Sequence, residues 1–233
     1  MTERKTIESK VISSFRSLGP SPQGLAWVKG GLWIADGETS ELCWMSEKGA
    51  VLSKFLSPCK SPRGLTWDGR DLLVLDGSTK IVHRIRIQDG YGILALDLTK
   101  TKTREETPLL PRKDTSATGI AFGKGSLWVS LVAGYSSSIY RINLTEQSVE
   151  ERFWAHGPEP RGMFYDEKGG YLWVVDSSNR EIRRLTLSGK LADVKIPTPE
   201  KSPTGLTLDE EGNLWIADSA TRMIYKIKWG PRL

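Results

Sequence analysis

Residues 202–219 read SPTGLTLDEEGNLWIADS, and the fold is decided by how often this stretch returns. Its first half occurs four times earlier, as SPQGLAW (21–27), SPRGLTW (61–67), SATGIAF (116–122) and EPRGMFY (159–165). Its second half returns as GLWIADG (31–37), DLLVLDG (71–77), SLWVSLV (126–132) and YLWVVDS (171–177). The repeat glycines are Gly24, Gly64, Gly119, Gly162 and Gly205, at intervals of 40, 55, 43 and 43. After each second half comes an alternating segment with apolar residues three apart: Leu42/Met45, Val82/Ile85, Ile139/Ile142, Ile182/Leu185 and Ile224/Ile227. A fourth landmark is an apolar residue nine positions before the next glycine: Phe55, Leu110, Phe153 and Ile196.

Short alternating segments joined by KGG, GKG, EKGG and EEG turns read as strands, because period-two alternation puts every second side chain on one face. No segment of 12 or more residues shows helical periodicity. Four strands every 40 to 45 residues predict an all-β, five-bladed β-propeller of four-stranded antiparallel blades, a single domain over 1–233. The fifth unit ends after MIYKIKWG without an outer strand, and Phe15 stands nine residues before Gly24. Residues 9–17 are therefore expected to complete blade five and leave no unpaired edge there. The 55-residue interval admits two registers, with IVHRI (81–85) or ILALDL (93–98) as the third strand. The six-residue step from Asp76 to Val82 favours IVHRI, with the extra residues then on the face away from the repeat glycines.

The chain has 33 Lys plus Arg, 28 Asp plus Glu, two His and two Cys, with 23 Gly, 12 Pro and 9 Trp among its 233 residues. No apolar run approaches the roughly 20 residues of a membrane helix, which excludes that class. The charged start, MTERKTIESKVISSF, does not read as a secretory signal, and two cysteines make no disulfide framework, so a cytoplasmic location is expected. The excess charge is spread over several segments, which gives RNA binding weak support.

The PxGL...LWIAD...I pattern resembles the propeller group that includes NHL repeats, virginiamycin B lyases and gluconolactonase-like proteins. IPTPEKSPTGLTLDEEGNLWIADS (196–219) is similar to lyase and NHL blades, and RGLTWDGRDLLVLDGS (63–78) to a blade of the five-bladed glutaminyl cyclotransferases. The lactonase resemblance implies a divalent cation held by Glu, Asn and Asp, and the lyase resemblance a His and Glu pair with magnesium.

In a propeller the loop leading into each inner strand opens at the channel mouth, which places the residue before each repeat glycine on a ring: Gln23, Arg63, Thr118, Arg161 and Thr204. The ring has two arginines and no carboxylate, so no metal ligands are assigned, and no cofactor is specified. Asp36, Asp76, Asp176 and Asp218 end second strands and are expected to cap the turns that follow. In WAHGPEPRG (154–162), His156 and Glu159 are candidates for acid–base catalysis, since imidazole titrates at about 6.5. Trp154 and Tyr135, the latter in a loop longer than its counterparts, complete the candidate ligand contacts. Three readings stand, in this order: a binding module for an anionic small molecule, peptide or protein, Arg63 and Arg161 gripping the anion; a lyase or glutaminyl-cyclotransferase-like enzyme using His156 and Glu159; and NHL-like RNA binding. A monomer without membrane association is expected.

Overall fold

The computed structural model describes residues 6–103, 109–110 and 114–230, and every regular element in them is a strand. β1 (Ser9–Arg16) precedes blade one, which is β2 (Pro22–Val28), β3 (Gly31–Asp36), β4 (Glu41–Met45) and β5 (Val51–Leu56). Blade two is β6 (Pro62–Trp67), β7 (Leu72–Asp76), β8 (Ile81–Ile85) and β9 (Gly92–Asp97). Blade three is β10 (Ser116–Gly123), β11 (Ser126–Ala133), β12 (Ser136–Asn143) and β13 (Ser148–Trp154). Blade four is β14 (Pro160–Asp166), β15 (Tyr171–Asp176), β16 (Glu181–Leu185) and β17 (Leu191–Pro197). Blade five is β18 (Pro203–Leu208), β19 (Leu214–Asp218), β20 (Met223–Trp229) and, as its outer strand, β1. Inner strands β2, β6, β10, β14 and β18 touch in sequence, with β18 returning to β2. The five-bladed propeller closed by its N-terminal strand is thus the observed fold. No helix among the described residues is long and apolar enough to cross a membrane.

The repeat glycines exist because the inner strands approach backbone to backbone. A methyl group on Gly24, Gly64, Gly162 or Gly205 would stand 2.6, 2.8, 2.5 or 2.7 Å from the next blade's Leu65 N, Ile120 N, Leu206 N or Gln23 O. On Gly119 it would meet the carbonyl oxygen of Arg161 more closely still. A side chain at any of the five would wedge the ring open, so the five glycines mark the five inner strands around the channel.

The core lies between blades. Each of five buried clusters straddles one seam, and the second-strand tryptophans Trp33, Trp128, Trp173 and Trp215 are at most 2% exposed within them. Trp27 stacks on Trp215 across the seam between blades one and five (centroids 5.9 Å, 19°), and within blade four Phe164 stacks on its strand partner Trp173 (5.8 Å, 9°). Burying rings of this size adds to the attraction that the aliphatic clusters provide between blades. Outer-strand phenylalanines pack on a turn of the following blade: Phe15 on Gly49, Phe55 on Gly90 and Phe153 on Gly189. All three glycines have positive φ, so both the tight turn and the absence of a side chain are used.

IVHRI is β8, as the step from Asp76 suggests, but the outer strand of blade two corrects the sequence reading. Val82 pairs with Leu75 on one side and Leu96 on the other, so Leu96 in β9 holds the outer position and Leu110 does not. The extra residues follow β9 instead of separating the third and fourth strands. Leu98 and Leu109 are buried in the seam between blades two and three, Leu109 N–H donates to Thr101 O (2.9 Å), and Lys102 bridges to Ser148 in β13. Two leucines withdrawn from water, each worth about 1.5–3 kcal/mol, hold this strap to the propeller.

The second-strand aspartates cap turns. Asp76 Oδ1 accepts the N–H groups of Ser78 (2.8 Å) and Thr79 (3.2 Å), and its Oδ2 accepts Lys60 N–H (2.7 Å) from the preceding loop. Asp36 and Asp218 repeat this with Ser21 and Ser202 (2.7 Å each). Each carboxylate therefore ties the turn after the second strand to the segment that leads into the inner strand.

Candidate functional site

We call the end of the channel where the inner strands begin the upper mouth. All five ring residues stand there, and the structure divides them. Thr204 is buried, and its hydroxyl donates to Pro22 O of the next blade (2.7 Å). Thr118 likewise donates to Pro160 O (2.5 Å) of blade four. These hydroxyls bolt neighbouring inner strands together. Gln23 is buried against Gly37, with its Nε2 donating to Ser21 Oγ (3.0 Å).

The two arginines remain turned to the mouth. Arg63 is exposed and lies along Gly77, which leaves no room for a side chain on that glycine. Arg161 keeps 25% of its side-chain surface. It donates from Nε to Glu159 Oε1 (3.0 Å) and makes a second contact to the same oxygen through Nη2. Glu159 Oε2 accepts Ser178 Oγ (2.9 Å). Inner strands β6 and β14 face each other across the channel, so Arg63 and Arg161 share one electrostatic field. Loss of water in the mouth, and then the charge of Arg161, pulls the Arg63 guanidinium below arginine's ordinary range, while Glu159 acts the other way. Burial alone would raise the Glu159 pKa. Hydrogen bonding and charge from Arg161, the Ser178 hydroxyl and Arg63 outweigh it and hold the carboxyl below its usual range. One guanidinium thus grips the carboxylate, the other acts on it through space, and an excess positive charge faces the channel.

The linker from β13 to β14 runs inward across the blade, so its residues lie at different radii. Trp154, 53% exposed, ends the outer strand opposite Ser138, about 14 Å from the inner strand at three strand spacings of roughly 4.8 Å. His156 comes next. It has φ of 58°, its carbonyl accepts the buried Arg183, and its Nε2 meets Gly189 O (2.7 Å) in the turn between β16 and β17. Its ring is directed toward blade four's outer turn, while Glu159 is directed to the channel; the structure does not join them. Arg183 also lies 3.1 Å from Asp176, so His156 belongs to a buried support beneath the linker. Tyr135 is fully exposed at the two-residue turn where β11 and β12 extend past their counterparts. His83 sits in β8, where burial lowers its pKa.

A divalent cation does not fit this mouth. Its carboxylate is already held by Arg161 and Ser178, and two guanidiniums would repel the ion. Among the described residues no group of three or more His, Cys, Asp or Glu is placed to hold a metal.

A large cavity that the sequence reading passed over opens at the other end of the channel. It measures about 850 Å³ and is walled by the far ends of the inner strands and the turns that follow them. The signal was present in the column Trp27, Trp67, Phe122 and Tyr165, which packing between blades explained by itself.

No protein-family model matches the chain. The Bacillus subtilis protein YvrE, whose name assigns it to the sugar lactone lactonases, is 26% identical over 104 residues, covering 40% of this chain and 35% of that protein. The solved glutaminyl cyclase of Myxococcus xanthus superposes with a TM-score of 0.75 at 10% identity, covering 98% of this chain and 99% of the other. Virginiamycin B lyase of Staphylococcus aureus gives 0.60 at 17% identity, covering 95% and 99%. The chain therefore shares the propeller fold of cyclase and lyase enzymes and resembles the lactonase-type propellers in part of its sequence, as the blade motifs imply.

Proposed function

We propose that the chain is a ligand-binding propeller whose upper mouth recognises an anionic group, a carboxylate or phosphate on a small molecule or peptide. The observation that carries this reading is the Arg63–Glu159–Arg161 arrangement: Arg161 is paired with Glu159, while Arg63 stands exposed at the same mouth without an ion pair among the described residues, desolvated and repelled by the charge of Arg161. An incoming anion relieves that repulsion, and a planar guanidinium can grip it with two hydrogen bonds. The surrounding ring is stiff, because Thr118 and Thr204 tie its strands together, so little order has to be gained on binding. The enzyme reading requires His156 beside Glu159, and these two side chains have separate partners.

The test is calorimetric titration of citrate and of inorganic phosphate into the native chain and into Arg63→Ala/Arg161→Ala. The native chain is expected to bind one of the two anions, and the double variant to bind it at least about tenfold more weakly, roughly 1.4 kcal/mol, with an unchanged melting temperature. Equal binding by both proteins contradicts the reading. Cyclisation of an N-terminal glutaminyl peptide that disappears in His156→Ala replaces it with the enzyme.

A further inference from the structure

We propose that the lower end of the channel is a second binding site, separate from the arginine mouth, for an organic cation carrying an apolar body. Its volume, about 850 Å³, lies within the range of small-molecule pockets. Trp27, Trp67, Phe122 and Tyr165 form much of the wall. Trp27, Trp67 and Phe122 are half-buried, their hidden sides packed in the seams and their remaining surface part of the cavity wall. Two polar atoms on that wall are buried without a partner, the indole Nε1 of Trp27 and the hydroxyl of Tyr165, a residue 8% exposed.

The charge around this opening is opposite to that of the upper mouth. Six carboxylates stand on the lining, Asp68, Asp166, Glu167, Asp209, Glu210 and Glu211, against the single ammonium of Lys168. Arg84 neutralises Asp68, and Lys226 serves Asp209 (3.2 Å) and Glu211 (3.4 Å). That leaves Asp166, Glu167, whose Oε1 accepts Lys124 N–H (3.4 Å), and Glu210 to set against Lys168. Asp166 spends one oxygen on the N–H groups of Lys168 (3.1 Å) and Gly169 (2.9 Å), while Glu167 and Glu210 are exposed at the rim. Aromatic walls inside a negatively charged rim suit a cation with an apolar body: the rings' negative faces attract it, the carboxylates concentrate it, and the apolar body leaves water. The chain thus places an anion-selective opening and a cation-selective one at opposite ends of one channel.

The probe is benzyltrimethylammonium, compared with its uncharged carbon counterpart neopentylbenzene, with binding followed by calorimetry and by the ¹⁵N-indole signals of Trp27 and Trp67. The cation is expected to bind and shift both indole signals. Trp67→Leu should weaken it about 2- to 30-fold, the worth of one cation–π contact. Because Trp67 also packs in a seam, Glu167→Gln/Glu210→Gln provides a fold-neutral variant, expected to weaken the cation at least about threefold and to remove much of its salt dependence. Arg63→Ala/Arg161→Ala should leave cation binding intact, so failure of the anion site does not touch this site. No response to benzyltrimethylammonium at millimolar concentration, equal binding of neopentylbenzene, or an unchanged affinity in the carboxamide variant would each overturn the proposal.

Discussion

A propeller repeats its residues, so a single residue's role depends on which direction its column faces. The repeat glycines show this most simply. Gly162→Ala is expected to cost about 1–3 kcal/mol through forced separation of two inner strands, because the new methyl meets Leu206 N at 2.5 Å. Thermal unfolding checks it, with a melting temperature lower by roughly 2–12 °C. The position before each glycine was legible in the sequence as a mouth position, and that located Arg63 and Arg161. The column alone does not separate side chains that enter the mouth from those that turn back. Thr118 and Thr204 find backbone carbonyls of the next blade within reach, whereas arginine is too long for that gap and stays in the mouth. His156 and Glu159 are close in sequence but not in direction. Backbone with φ of 58° at His156 sends its ring toward Gly189, a direction no residue pattern in this linker announces.

At the scale of the element, blade two shows what a landmark spacing can and cannot fix. The Asp76-to-Val82 step located β8 because that turn has one geometry wherever an aspartate caps it. Leu110 mimicked an outer strand because apolar residues also pin a strap; Leu109 is buried in the seam, and the outer-strand partner of Val82 is Leu96. The turns carry a second shared feature. Ser40, Lys80, Arg180 and Arg222, each four residues after a capping aspartate, have φ between 54° and 62°. Left-handed backbone is costly for a residue with a Cβ, and glycine recovers part of that cost, so Arg222→Gly is expected to stabilise by about 0.5–1 kcal/mol, measured by chemical denaturation; a loss of stability contradicts this. Asp76→Ala removes the acceptor for three N–H groups and should cost about 1.5–3 kcal/mol in the same assay. Phe15 in β1 contacts Gly49 and tilts against Trp215 (6.1 Å), so Phe15→Ala should cost about 3 kcal/mol, the low end for phenylalanine because the ring is half-buried, and show how much the closing strand contributes.

The whole molecule was the most legible level, because four landmarks recurring together leave few alternatives to five blades. Its stability should have two pH limbs. Asp76, Glu159, Glu181 and Asp209 are each held below the usual carboxylate range, although burial alone would raise them; hydrogen bonds and neighbouring cations decide the direction. Lowered carboxylates stabilise the fold above their unfolded values near about 4, and that contribution is lost as pH falls through the folded values. Burial pushes the thiols the other way, Cys43 to about 11 and Cys59 to about 12, against an ordinary 9.0. Their contribution is present below 9.0 and fades as pH rises through those values. Burial also holds His83 below imidazole's usual value, so stability begins to fall as pH drops below about 6.5 and falls further through the carboxylates. Melting temperature should be level from about pH 7 to the thiol limb, and a decline already under way between about pH 9 and 7 contradicts this. The function proposed for the molecule rests on the charge of the arginine mouth. The most direct measurement is an NMR titration of the native chain with citrate, following the ¹⁵Nε–Hε signals of Arg63 and Arg161. Both signals moving together and saturating at one dissociation constant is the predicted result; signals that stay in place while citrate binds elsewhere, or no binding at all, would contradict it.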